Sequence, residues 1–403
     1  MRTAVITVGK ELLTGRTVNT NLRTIALKLK QIGIDVNRSY VIDDLKKEFK
    51  KILDFMDEDL VIFTGGLGPT IDAITRETVI NYFGVETYMD QEVLAHIKEM
   101  FDKAEVEMKS TNNKQALFPI DSIKLKNELG TAPGLYFRVG DRRIILLPGP
   151  PRELIPMLND MINIIKDELD INLISRGFKL VGTGESSMEN NLRGFYGVHP
   201  KVNVAPYANV GEIKYIFTSS DTDALDRAMN DFYNKFEPFI FGGLEDTLES
   251  VVVELLREQN KVISVAESCT GGMLAARLVN VPGSSNVFKE GFVTYANEAK
   301  MKRLDVSENL LKQYGAVSPE CAKVMCDNLY DKTDADITIS ITGIAGPTGG
   351  SETKPVGLVF FGLNHMGETT IYRKVFTGNR EMVRLRAVIF ALNMTRKVLL
   401  ENA

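Results

Sequence analysis

The chain has 403 residues, enough for two or three hydrophobic cores, and its 44% hydrophobic and 25% charged content is that of a soluble globular protein. A formal net charge of -5 argues against a nucleic-acid surface, whose electrostatic footprint is basic. Three cysteines without paired spacing indicate a reducing compartment, no apolar run reaches membrane length, and the opening Met1 to Gly9 is too short for a signal peptide, so a cytoplasmic protein without membrane attachment is expected.

From the N-terminus the pattern alternates strand and helix. Ala4 to Val8 reads as a strand, and a helix follows near Asn21 to Ile32. Asp35 to Val41 reads as a strand, Leu45 to Met56 as a helix, and Leu60 to Thr64 as an apolar strand. Such alternation predicts a parallel sheet with helices on both faces and a ligand site outside the carboxyl ends of its strands. Gly65-Gly-Leu-Gly-Pro-Thr70 falls at that place, followed by Asp72 and a helix from about Thr75. Gly65, Gly66, Gly68, Pro69 and Thr70 read equally as a structural turn needing positive backbone dihedrals or as a loop that receives a nucleotide pyrophosphate.

From about residue 169 the pattern changes. Phe178 to Gly182 reads as a short strand, Glu185 to Phe195 as a helix, Val202 to Ser219 as a hairpin turning near Asn209 to Gly211, and Asp221 to Phe236 as an amphipathic helix. This small α+β unit carries no catalytic cluster, which suits a spacer or a subunit interface. Thr247 to Gln259 then begins a further domain, and the chain closes on a long helix from Glu381 to Leu400 that either covers a sheet or pairs with a partner.

The densest chemistry lies between those two helices. Lys261 to Ala266 reads as a buried strand and Met273 to Asn280 as a helix, so Ser268 to Gly272 occupy a helix start, where unpaired amides favour an anion. A serine there is ordinarily an N-cap. As a nucleophile it needs a base, and His96, His199 and His365 have no catalytic-looking neighbours. Lysine remains, because an ε-amine stripped of water loses basicity and serves as a neutral base. Lys300 and Tyr295, at the end of a strand over Phe292 to Ala296 and the start of the next helix, fit that role. A second strand runs into a glycine-rich loop at Ile339 to Gly350, and two such strand ends suggest one pocket. Cys269 has no histidine beside it and reads as a small buried residue.

Five motifs carry a resemblance: Ala266-Glu-Ser-Cys-Thr-Gly-Gly272, Gly291 to Lys300, Tyr314-Gly-Ala-Val-Ser318, Thr342-Gly-Ile-Ala-Gly-Pro347 and Lys354-Pro-Val-Gly357. In this order they resemble the C-terminal domain of the CinA family, which is similar to the nicotinamide mononucleotide (NMN) deamidases. The resemblance implies hydrolysis of the NMN carboxamide to nicotinic acid mononucleotide and ammonia, in pyridine-nucleotide recycling and with no cofactor. It implies Ser268 as nucleophile, with Lys300 and Tyr295 moving its proton. Thr270, Gly271, Gly272, Thr342, Gly343 and Gly346 would orient the carboxamide, and Arg380 would pair with the 5′-phosphate; the same arginine also reads as a solvated helix start.

Gly9 to Gly15, Asn21, Asp43, Asp44, the glycine loop at 65–70, Gly130 to Gly134 and Leu147 to Pro151 resemble the molybdopterin-binding-like domain that opens CinA proteins. That resemblance implies an ADP-ribose pyrophosphatase dependent on a divalent cation, with Asn21 and Asp43 joining the glycine loop and Asp72, Glu11 and Asp44 as metal ligands. The family motif usually continues with paired aspartates, and Ala73 stands at the second of them. A methyl group supplies no ligand oxygen, so binding of ADP-ribose-like nucleotides with weak or absent hydrolysis is expected. The fold expectation is α/β throughout: residues 1–168 a molybdopterin-binding-like parallel-sheet domain, 169–245 a KH-like α+β connection without RNA binding, 246–403 the deamidase domain, assembled as a homodimer. Two alternatives remain, an ADP-ribose pyrophosphatase as the main activity and a non-catalytic pyridine-nucleotide sensor.

Overall fold

The computed structural model describes residues 1–401. It divides into two compact units, Met1–Ser175 and the chain from Arg176 onward.

The first unit is built on a six-stranded sheet in the order Arg38–Ile42, Thr3–Val8, Leu60–Thr64, Arg142–Leu147, Gly134–Val139, Ile123–Leu125. Thr3–Val8 and Leu60–Thr64 are buried along their whole length, as central strands covered on both faces must be. Side chains alternate between two cores. Ala4, Ile6, Val61 and Phe63 pack with Phe49, Leu53 and Val79, whereas Val5, Ile62 and Ile145 pack with Ile25, Leu29, Leu158 and Met161. The first four strands are parallel, Gly134–Val139 runs against them, and Ile123–Leu125 runs against Gly134–Val139. The sheet is therefore mixed. Its reversal lies at Gly140, whose φ of 59° closes the hairpin between Val139 and Arg142, a link far too short for a parallel crossover. The strand expected at 35–41 runs instead over Arg38–Ile42, because the Asn37 side chain takes the amide of Thr3 at 2.8 Å in place of a ladder bond.

The second unit contains two sheets. A four-stranded one has the order Asn203–Asn209, Glu212–Ser219, Ile174–Val181, Ile240–Gly242, and Tyr215 and Phe217 close it against Phe232 of the helix Thr222–Phe236. The single helix expected at 185–195 is two, Glu185–Asn191 and Phe195–Val198, interrupted where Gly194 adopts a φ of 88°. The five-stranded sheet has the order Phe288–Val293, Ile263–Glu267, Ile337–Gly343, Leu358–His365, Glu368–Val375. Its first three strands are parallel, Leu358–His365 runs against them and Glu368–Val375 against Leu358–His365, so three carboxyl ends, at Val293, Glu267 and Gly343, meet along one edge.

The closing helix, Arg380–Glu401, covers the sheet. It buries Val383, Ala387, Val388, Leu392 and Leu399 in the same core as Ile339, Phe361 and Val252. Its other side is also buried. Arg396 donates to the carbonyls of Ile240 and Pro238 at 3.1 and 3.3 Å, joining the helix to the segment before it in the chain. A helix enclosed all round loses the one-sided polarity of a surface helix.

Candidate functional site

The strand expected to carry Tyr295 ends early, at Val293. Thr294 donates its amide to Glu267 and is the last residue tied to the sheet, so Tyr295 and Ala296 form a crossing into the helix Asn297–Leu304. Lys300 is one turn inside that helix, and its side chain reaches back beneath the crossing. It is 1% exposed. Its Nζ lies 3.0 Å from Ser268 Oγ, 2.8 Å from the Thr294 carbonyl oxygen and 3.3 Å from that of Tyr295.

This environment contains hydrogen-bond acceptors but no carboxylate close to the amine. Burial therefore pushes the Lys300 amine below the ordinary lysine value of 10.5, and the thiols Cys321 and Cys269 act weakly the other way. In the neutral form an amine has two N–H bonds and one lone pair. In the charged form Nζ donates to all three oxygens; loss of one proton leaves two N–H bonds, enough for the two carbonyls, and frees a lone pair for the serine hydroxyl. Such a geometry suits proton abstraction from Ser268.

Ser268 begins the turn after Ile263–Glu267, is buried, and donates its amide to the Ile341 carbonyl at 2.9 Å. It does not cap the helix that follows. Gly272 occupies the cap position of Met273–Val279, and the Glu267 carboxylate takes the amides there: Gly272 and Leu274 donate to Oε2 at 3.1 and 3.0 Å, Ala275 to Oε1 at 2.8 Å. The N-cap reading of the serine is thereby corrected. So is the expectation that Gly271 and Gly272 offer amides to an anion, since Gly271 donates to the Ser268 carbonyl and Gly272 to Glu267.

Ser268 and Lys300 open on one cavity of about 320 Å³, lined also by Tyr295, Asn297, Val317, Thr342, Gly343, Gly346, Thr348 and Arg380. Three of the expected substrate contacts, Thr270, Gly271 and Gly272, lie outside its lining. Thr270 is fully buried and its carbonyl accepts from Arg384 at 2.7 Å. Thr342 lines the pocket but directs its hydroxyl to the Ala316 carbonyl at 2.7 Å, which ties the segment before Ser318 to the strand end. Arg380 spans the rim. It donates to the Gly346 carbonyl and to the Tyr295 hydroxyl, each at 2.9 Å, and lines the cavity while staying exposed at the start of Arg380–Glu401, so the helix-start and pocket readings of this arginine both hold. The Tyr295 phenol is thus held by Arg380 and is 59% exposed, while its carbonyl holds Lys300. Cys269 borders the cavity, but burial pushes its thiol up to about 12, which removes the thiolate at neutral pH.

Sequence reasoning missed Asn297, Thr348 and Glu267. Asn297 and Thr348 carry no distinguishing signal. Glu267 does carry one, an acidic side chain at the end of an otherwise apolar strand directly before the serine.

In the first unit, Gly65, Gly66, Gly68, Pro69 and Thr70 border a cavity of about 460 Å³ together with Glu11, Asp44, Asp72, Ala73, Gly130, Thr131 and Gly149. Asn21 and Asp43 are not on its wall. The Asn21 amide group donates to Thr64 Oγ1 and to the Gly149 carbonyl at 3.0 and 2.7 Å, bracing two strand ends, and the Asp43 carboxylate accepts from the amide of Asp44. Asp44 is raised above its ordinary value of 3.8, by burial first and then by Asp72, Glu11 and Asp43; the Thr70 hydroxyl holds Asp72 below it. Asp72, Glu11 and Asp44 share this cavity, yet among the described residues no three acidic, histidine or cysteine side chains gather to hold a metal ion.

Two units, one with a glycine-loop cavity at parallel strand ends and one with a serine and a lysine at such ends, define a two-part α/β architecture whose pieces match known domains. Residues 4–167 match the probable molybdopterin binding domain and residues 245–399 the CinA C-terminal domain. A competence-damage inducible protein from Caldicellulosiruptor saccharolyticus is 41% identical over 99% of this chain and all of its own length. A CinA-like protein from Dictyoglomus thermophilum is 39% identical over the same shares. Among solved structures, a CinA superfamily protein from Klebsiella pneumoniae is 36% identical, covering 38% of this chain and 96% of its own with a TM-score of 0.37. The chain belongs to the CinA family.

Proposed function

We propose that the C-terminal site hydrolyses the carboxamide of NMN to nicotinic acid mononucleotide and ammonia. The observation that carries this reading is the buried 3.0 Å contact between Lys300 Nζ and Ser268 Oγ, with both remaining N–H directions of the amine occupied by carbonyls. Ser268 Oγ attacks the carboxamide carbon as its proton passes to Lys300. The C–N bond then breaks, the Lys300 ammonium returns the proton to the departing nitrogen, and ammonia leaves an ester on Ser268. Water attacks that ester, giving up a proton to Lys300, and the Ser268 oxygen takes it back as the acid is released.

Arg380 is the guanidinium on the pocket lining, and an NMN 5′-phosphate is the substrate group it suits, since planar forked donors match phosphate oxygens. The Tyr295 phenol belongs to that same rim, held by Arg380, and what residue 295 gives Lys300 is its backbone carbonyl, which seats the amine. Incubating NMN with the full chain and measuring ammonia together with nicotinic acid mononucleotide tests the proposal. Ser268→Ala is expected to abolish both products, and persistent turnover in that variant would refute the assignment.

For the first unit the reading is binding of an ADP-ribose-like nucleotide without appreciable hydrolysis. Supporting it are the cavity walled by the Gly65 to Thr70 loop and the methyl group of Ala73 on the same wall. The acidic residues present do not form a ligand set for a divalent cation, so no hydrolytic step is drawn through one. Calorimetry should show ADP-ribose binding, while product analysis with magnesium present should show none of its cleavage products. Ala73→Asp raising cleavage would identify the missing oxygen ligand.

A further inference from the structure

A helix that starts at the carboxyl edge of a sheet ordinarily presents free amides and a positive dipole end to whatever anion enters the cleft. In this site those donors are already taken. Glu267 is 0% exposed, precedes Ser268 directly in the chain, and accepts from three amides within the first turn of the helix, those of Gly272, Leu274 and Ala275. The wrap depends on Gly271 and Gly272 at φ of 60° and 88°, a left-handed pair that curls the amides around a carboxylate. Both ends of the five-residue turn are therefore fixed: the Ser268 amide on Ile341, the Gly272 amide on Glu267.

We propose that Glu267 is a positioning residue for the reaction at Ser268, an internal anion that locks the nucleophile's turn and closes the helix end to the substrate's own negative charge. The proposal rests on the reading of Ser268 as nucleophile. Its first consequence is orientation, because an anionic substrate group finds no helix terminus beside the serine and must turn toward Arg380 at the rim. Its second is geometric. Ser268 Oγ stays within reach of Lys300 only while the turn keeps its shape, and two oxygens of one carboxylate set that shape.

The amide isostere separates these effects from bulk. Glu267→Gln keeps the volume but turns an NH₂ toward N–H donors, losing part of the wrap. Glu267→Asp keeps both oxygens and shortens the reach. Ala275→Pro, at the third residue of the helix, removes a donor that serves Glu267 and no intrahelical carbonyl, leaving the carboxylate intact.

The test uses the full chain and phenylmethylsulfonyl fluoride, which forms an S–O bond with a serine oxygen as the S–F bond breaks and the serine proton passes to the base. Intact mass and peptide mapping read the rate of Ser268 labelling, and NMN turnover is followed in parallel. Glu267→Gln is expected to slow labelling and kcat by on the order of tenfold to a hundredfold, the range that general-base alignment controls, with KM within about threefold of the parent. Ala275→Pro should give a smaller loss in the same direction, and it decides the matter should Glu267→Gln fail to fold by circular dichroism. Formate added to Glu267→Ala should restore part of the labelling rate, whereas chloride at equal ionic strength should not. Parent-like labelling and kcat in Glu267→Gln, or in Ala275→Pro where the former is unfolded, would overturn the proposal. Absence of Ser268 labelling in the parent chain would instead overturn the reading of the site.

Discussion

At Lys300 the buried setting of the amine governs its protonation. Because burial lowers its folded value below 10.5, the neutral base exists at pH values where a surface lysine is still charged. NMN turnover is accordingly expected to rise with pH along a limb set by that lowered value, measured as kcat/KM across a pH series. The stability sign follows from proton counting. Between the lowered folded value and 10.5 the unfolded chain binds the extra proton, so stability increases as pH rises through that window. Lys300→Met should flatten this rise in urea melts and lower kcat by on the order of a thousandfold. Arg380→Ala acts elsewhere: KM for NMN should rise about tenfold to a hundredfold, the loss of a charged phosphate contact, with kcat changed less. The pairing of Ser268 with Lys300 is legible in the sequence, because with no usable histidine nearby a lysine is the remaining residue type to look for beside the hydroxyl. Thr270 and Gly272 lie off the cavity for reasons the sequence hides: Thr270 is fully buried, and the helix start at Gly272 looks free until the carboxylate that occupies it is placed.

Elements decide where those side chains arrive. The glycine-rich stretch after Ile337–Gly343 is pinned at two points, by Arg380 on the Gly346 carbonyl and by Lys354, whose Nζ donates to the Tyr314 carbonyl at 2.7 Å. Lys354 is not on the cavity lining. Lys354→Met should leave kcat close to parental and raise KM several-fold, because a net hydrogen bond at an exposed position such as this is worth about 0.5–1.5 kcal/mol to the ordered loop. Steady-state kinetics on the purified variant checks this. Strand positions at Leu60–Thr64 and helix positions at Thr222–Phe236 follow directly from apolar periodicity. Strand direction does not: the antiparallel additions at Gly134–Val139 and Leu358–His365 have the same buried apolar pattern as parallel neighbours. The early end of Phe288–Val293 was hidden for a related reason, as Thr294 and Tyr295 have strand-like side chains while their carbonyls turn to Lys300.

At the scale of the whole chain, the closing helix Arg380–Glu401 binds the small sheet to the large one. The Arg396 guanidinium, pushed below its ordinary value by burial, is satisfied by the backbone carbonyls of residues 238 and 240 and by Asn393. Arg396→Met should cost about 1–3 kcal/mol through the carbonyls it leaves without donors, read as a lowered urea midpoint, with NMN kinetics of the folded fraction unchanged. Sequence left open whether this helix covers a sheet or meets a partner, because the same apolar stripe serves either. Arg277 extends the tie through Glu249 and Glu212 on the same side. A truncated fragment beginning at residue 246 would therefore carry Ile389, Asn393 and Arg396 into water as a sticky, half-charged strip. Polar replacements along that strip would be needed before the C-terminal piece is isolated for soaking or screening.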